Sequence, residues 1–157
     1  MAIQPQQRQG QGYRGGHDDR QAIPIDTSEI QFKDIKVDLF DRIAKHAAIA
    51  IAENSKSNKP TQLRRFYDEI VMWDQKATMN AKNPEKFAEY LPFIRMLNAK
   101  VAYAEGRKSS GHGLVDKNYV TLINECLKQV DSIETLRIFK LFIEAFMGFY
   151  KQERPKD

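Results

Sequence analysis

One cysteine, Cys126, is all the thiol chemistry that 157 residues carry. That excludes a disulfide within the chain and a zinc cage built on cysteines. Histidine is nearly as scarce. His17, His46 and His112 fall in a tail, at a helix edge and in a glycine loop, without the spacing of a metal site. No apolar run is long enough to cross a membrane, and the first residues lack the apolar core of a secretory signal. These absences point to a cytoplasmic protein with no membrane partner. Also missing are a glycine loop for phosphates, a His-Glu-x-x-His pair and a nucleophile elbow. Carboxylates are scattered, mostly with a basic residue at helical spacing. Glu144, the one acid in a strongly apolar stretch, has Lys140 four residues before it, so an ion pair is its simplest use. No catalytic residue, metal ligand or cofactor is therefore assigned, and an enzyme is not expected.

What is present suits one soluble domain. Hydrophobic residues make up 41% and charged residues 29% of a length that supports a real core. The net charge of +4 permits an anionic partner without requiring one. Residues 1–22 are mostly glutamine, glycine and arginine; they cannot bury enough apolar surface to offset their ordering entropy and are expected to be disordered. Arg8 and the Tyr13-Arg14-Gly15-Gly16 run resemble RGG-type segments that hold RNA loosely, although a tail without function is the plainer reading. Residues 23–37 carry Ile23, Ile25, Ile30 and Phe32 between polar breaks and Pro24. They read as an extended arm laid on a helical bundle spanning 38–152, with 153–157 an exposed tail.

Helical periodicity accounts for the bundle. A first helix is predicted over residues 38–54, capped by Asp38, with Leu39, Phe40, Ile43, Ala44, Ala47, Ala50 and Ile51 on one side. A polar linker carrying Lys56 and Lys59 follows. The second helix opens at Pro60 with Leu63, Phe66, Ile70, Trp73 and Ala77 as its seam, and Arg64–Asp68 and Arg65–Glu69 are spaced as ion pairs. Two arginines in a first turn oppose the helix dipole, which an anion bound there, assisted by Gln62 and free N–H groups, would explain. A short helix over residues 84–90 is expected to be kinked or broken by Pro92 before the next helix begins. After a glycine- and serine-rich loop with no hydrophobic periodicity, expected to be the most mobile internal segment, a helix from Asp116 carries Tyr119, Ile123, Cys126 and Val130 as its seam. Cys126 there reads as a buried, inert thiol. Ser132 caps a last helix that is apolar nearly all round, more than one small bundle usually covers, so Phe149 and Tyr150 are assigned to an assembly interface. The fold class is all-α, a single bundle of about five to six helices.

Residues 91–108 form the stretch with two characters. Ile94, Leu97, Val101 and Ala104 make an apolar stripe, and Phe93, Met96, Lys100, Tyr103 and Arg107 interleave aromatic and basic side chains beside it. Gly106 is placed to end this helix in a left-handed cap. The second face suits a partner; a core helix with two surface cations is the alternative.

Three stretches in series resemble the small helical subunit of the type III-A CRISPR interference (Csm) complex. They are Thr61-Gln62-Leu63-Arg64-Arg65, Tyr103-Ala104-Glu105-Gly106-Arg107, and Phe142-Ile143-Glu144-Ala145 through Tyr150-Lys151. The likeness covers residues 38–151 and leaves out the N-terminal tail and the Ser-Ser-Gly-His-Gly loop. It implies a non-catalytic block that stacks in copies beside other subunits and holds a guide RNA–target RNA duplex by its phosphates. By motif position it implies RNA contacts at Gln62, Arg64, Arg65, Lys100 and Arg107, and charge alone adds Lys45, Lys56, Lys59 and Lys108. The alternative is a structural homo-oligomer or adaptor whose cations only confer solubility.

Overall fold

The computed structural model describes residues 23–156, so the expectations for residues 1–22 lie outside it. Among the described residues the fold is all-α, with one two-stranded hairpin. The helices are α1 (Ala44–Ala52), α2 (Pro60–Met79), α3 (Pro84–Arg95), α4 (Leu97–Gly106), α5 (Lys117–Leu127) and α6 (Ile133–Glu153). The last is the centre of the molecule, packing against both α1 and α2. Ser132 caps α6 in a reciprocal box with Thr135. Leu136, Phe139, Phe142, Ile143, Phe146 and Tyr150 of this helix are buried, and Ile138, Ala145, Met147 and Phe149 are half-covered against the same core. Ala44, Ala47 and Ala48 let α1 approach that surface closely. Lys140 and Glu144 pair at 2.7 Å on its open side.

Residues 23–37 run without helix or strand, and α5 and the turn after it supply the hydrogen bonds that a neighbouring strand would. Asn118 Oδ1 accepts from the Ile25 N–H (3.0 Å), Gln129 Oε1 from that of Phe32 (2.8 Å), and Gln129 Nε2 donates to Ile30 O (2.7 Å). Ile30 and Phe32 are buried, the Phe32 ring lying 5.9 and 6.2 Å from those of Phe139 and Phe142.

Several local expectations are corrected. The first helix opens with a π-helical turn, Leu39–Ile43, and Asp38 does not cap it. Its carboxylate instead accepts from Arg42 Nε (2.7 Å), and Arg42 also reaches Glu29 (2.6 Å), fastening the arm. The wider turn aligns Leu39 with Ile43 in the core and leaves Phe40 exposed. Along α2, Trp73 is only half-buried and Asp74 takes the inner position, where Arg137 of α6 neutralises it at 2.9 Å. The helix through Pro92 continues to Arg95 and breaks at Met96, because a proline removes only its own N–H from the ladder. Ile94, Leu97, Val101 and Ala104 stay buried across that break.

Gly106 is not in a left-handed cap; the chain's return closes the end of α4. Residues after it form a hairpin, β1 (Lys108–Ser109) with β2 (His112–Gly113), around Ser110 and Gly111, both with positive φ. Leu114 N–H then donates to Ala104 O (3.0 Å), satisfying a helix-end carbonyl that a glycine cap would otherwise serve, and to Arg107 O (3.1 Å) beyond the helix. Gly113 is obligatory here, since a Cβ would sit 2.5 Å from Glu105 O and 2.6 Å from Val115 O. The linker before α2 is not simply polar surface: Ser57 and Asn58 are buried. Nor is residue 154 exposed, for Arg154 folds inward and donates to Ser55, Ser57 and Asn58 carbonyls (3.2, 2.6 and 3.0 Å).

Candidate nucleic-acid interface

The start of α2 faces a cleft of about 460 Å³, closed on one side by the linker and on the other by the hairpin. Lys56, Lys59 and Gln62 line it from the linker and helix, and Ser109, Ser110 and His112 from the hairpin. None of its lining residues is acidic. Asn58 holds the two walls together. It adopts positive φ, which asparagine tolerates better than most residues, and every polar group it has is used. Its N–H donates to Leu114 O (3.0 Å), its Nδ2 to Ile51 O (3.3 Å), and its Oδ1 accepts from the Asp116 N–H (2.9 Å). Its carbonyl accepts from the Tyr150 hydroxyl and Arg154 Nη1. Ser57 Oγ donates to Gly113 O (2.7 Å), tying linker to hairpin directly.

One turn on, Arg64 lines a second depression with Thr61 and Lys151, again without a carboxylate in its lining. Its guanidinium pairs with Asp68 at 2.9 Å, both groups well exposed, and that hydrogen bond raises the Arg64 pKa. An exposed pair of this kind contributes little and exchanges readily for a stronger anion. Arg65 is exposed and has no ion-pair partner among the described residues; the expected Arg65–Glu69 pair does not form, because Lys100 reaches across from α4 to Glu69. The helix start itself offers few donors. Pro60 has no N–H, and the Gln62 and Leu63 N–H groups already donate to Lys59 O (2.9 and 3.1 Å). An anion here would rest on side chains and not on the free N–H groups expected from the sequence.

The assigned residues do not form one cluster. Lys56, Lys59 and Gln62 converge, with Arg64 and Arg65 on the adjoining turn. Arg107 follows the last turn of α4, exposed, and Lys108 begins the hairpin and donates to Glu105 O (3.3 Å). Lys100 is engaged with Glu69, and Lys45 stands at the opposite end of α1 from the linker. Of the assigned interface pair, Tyr150 is fully buried beside Asn58 and offers no surface. Phe149 is half-covered, in a shallow depression shared with Phe40 and Pro155. Burial pushes the Cys126 thiol far above the ordinary range, in keeping with an inert side chain.

The family model described as Csm2 Type III-A matches residues 34–156. The chain belongs to that family. It is a small subunit of the type III-A Csm effector complex, and its partners include the other subunits of that complex. No curated protein and no solved structure gives a match. The Csm2 match runs through the hairpin that the motif resemblance left out, and the hairpin supplies half of the cleft. Ser109, Ser110 and His112 are lining residues that periodicity could not find. Their one signal is the Ser-Gly turn dipeptide at 110–111.

Proposed function

We propose that this Csm2-family subunit is a non-catalytic RNA-binding protein of the cytoplasm, which holds the phosphates of the guide RNA–target RNA duplex within the type III-A effector. The observation that carries this reading is the composition of the cleft and depression flanking the start of α2. Lysine, histidine, arginine, hydroxyl and amide groups line them, and no carboxylate does. Such a surface attracts a polyanion, and its hydroxyl and amide donors suit phosphate oxygens without reading bases. Lys56, Lys59, Gln62, Arg64 and Arg65 are the residues that hold it. Arg107 and Lys108 extend the surface along the hairpin side, and Lys45 and Lys100 are peripheral.

The test is Arg64→Ala with Arg65→Ala, read in the free chain and in the assembled complex. RNA affinity should fall about equally for unrelated sequences. For single-stranded RNA the log–log salt slope should flatten by roughly 0.7 for each phosphate that is no longer neutralised. Stability should change by no more than a few tenths of a kcal/mol, since the one pair removed is exposed. Unchanged affinity in the complex removes both arginines from the site and favours an adaptor role.

A further inference from the structure

We propose that the exposed aromatic face of α3 and α4, with Lys76 of α2 beside it, is a platform for unpaired RNA, with bases stacking on Phe93 and Tyr103 and phosphates lying against Lys76, Lys100 and Arg107. Its aromatic residues lie outside the cleft and depression at the start of α2, but it shares Lys100 and Arg107 with the surface proposed above and rests in that part on the RNA-binding reading.

Large apolar side chains stand in the open here. Phe93 is 58% exposed, Met96 54% and Tyr103 71%, while the stripe one quarter-turn away is buried. They are not poorly packed core residues, because the core beneath them is already filled by Ile94, Leu97, Val101 and Ala104. Phe93 ends a stack that is already built. It lies 6.3 Å from Trp73 at an interplanar angle of 20°, and Tyr90 meets the same Trp73 at 5.8 Å. The side of Phe93 away from Trp73 has no ring upon it among the described residues. Tyr103 stands on α4, beyond the break at Met96, as a second exposed ring.

The charges on this face decide the occupant. Lys76 Nζ sits 5.1 Å from the Trp73 ring centroid and has no carboxylate partner among the described residues, and Arg107 has none either. Lys100 neutralises Glu69, and Lys86 neutralises Glu89 one turn before Phe93. An apolar protein surface docked here would strand two cations against it, at a cost that charge burial makes high. A single-stranded polyanion meets both requirements at once, giving a phosphate to each cation and a π face to each ring. Stacking tolerates any base, so the platform would hold RNA by its unpaired state and not by its sequence.

The experiment compares oligoadenylate, an abasic oligomer of equal length and a blunt RNA duplex, each titrated into the full chain. Trp73 is the only tryptophan, so its fluorescence reports on the platform without any substitution. Oligoadenylate should change that emission and bind more tightly than the abasic oligomer. Tyr103→Ala and Phe93→Ala should each weaken oligoadenylate binding by about fivefold to a hundredfold, leave the abasic oligomer and the duplex unaffected, and Tyr103→Phe should restore binding. Equal affinity for oligoadenylate and the abasic oligomer in the unaltered chain would overturn the proposal. So would unchanged oligoadenylate binding by Tyr103→Ala together with failure of that variant to join the assembled complex, which would make the face a protein contact. Arg64→Ala with Arg65→Ala should weaken all three ligands together, so failure of the platform and failure of the phosphate site are told apart.

Discussion

Asn58 is the residue on which the most backbone depends. Its side chain and main chain join the end of α1, the hairpin, the start of α5 and the end of α6, all from a left-handed conformation within the core. Replacing it with alanine leaves the Ile51 carbonyl and the Asp116 N–H without their partner and puts a Cβ residue with no local hydrogen bond into positive φ. Asn58→Ala is expected to lower stability by about 2–4 kcal/mol. Asn58→Gly, which keeps the conformation but not the amide, should cost less. Urea denaturation of the three proteins tests this, and equal midpoints for alanine and glycine would show that the backbone conformation carries no weight. Nothing in the local sequence signals the role. Asn58 sits in a run of Ser, Lys and Asn that reads as solvated linker.

At the scale of the element, two glycines a few residues apart have opposite meanings. Gly106 meets nothing within 4 Å of an added Cβ and lies at the end of α4 without positive φ. Gly106→Ala should therefore be neutral or raise stability by about 0.5–1 kcal/mol, as removal of a helical glycine does. Gly113 lies where the hairpin base passes against the last turn of α4, and an added methyl would strike two carbonyl oxygens. Gly113→Ala should destabilise by about 1–3 kcal/mol. It should also weaken RNA binding, because Gly113 lines the cleft and anchors Ser57. Thermal unfolding ranks the two variants. The reverse ranking would mean that α4 ends on its own glycine after all.

For the molecule as a whole, residues 23–37 act as a strap across α5 and α6. Phe32→Ala should cost about 3–5 kcal/mol, the range for a large ring removed from a core, as seen by chemical denaturation. Charge holds the strap as well. The hydrogen bond from Arg42 keeps the Glu29 carboxyl below its ordinary 4.5, and the one from Lys33 keeps Asp131 below 3.8. Carboxylates depressed on folding add stability above their unfolded pKa and lose it as pH falls through the folded one. The stability difference between the unaltered chain and Glu29→Gln with Asp131→Asn should therefore be present at neutral pH. It should shrink below about pH 4.5 and disappear in stronger acid. Because both pairs are exposed, the difference is small throughout. A difference that persists in strong acid would mean that packing, and not charge, is what those substitutions disturb.

The sequence by itself determined what depends on neighbours in the chain. The period of its apolar residues placed most of the helical seams and the buried Ile94–Ala104 stripe, because a helix sets which side chains share a face before any tertiary contact exists, and the Ser132 cap was legible because a cap bonds to N–H groups three residues away. Three short motifs in series carried the family resemblance that the Csm2 match bears out. Tertiary structure decided what depends on residues far apart. Only folding brings Lys100 to Glu69, Arg137 to Asp74 and Arg154 to the linker, and only folding lays the hairpin beside the start of α2 to form the cleft. Polar residues in loops have no period, and each can be satisfied by water or by a partner. Burial and reach choose between the two, and both are properties of the assembled chain.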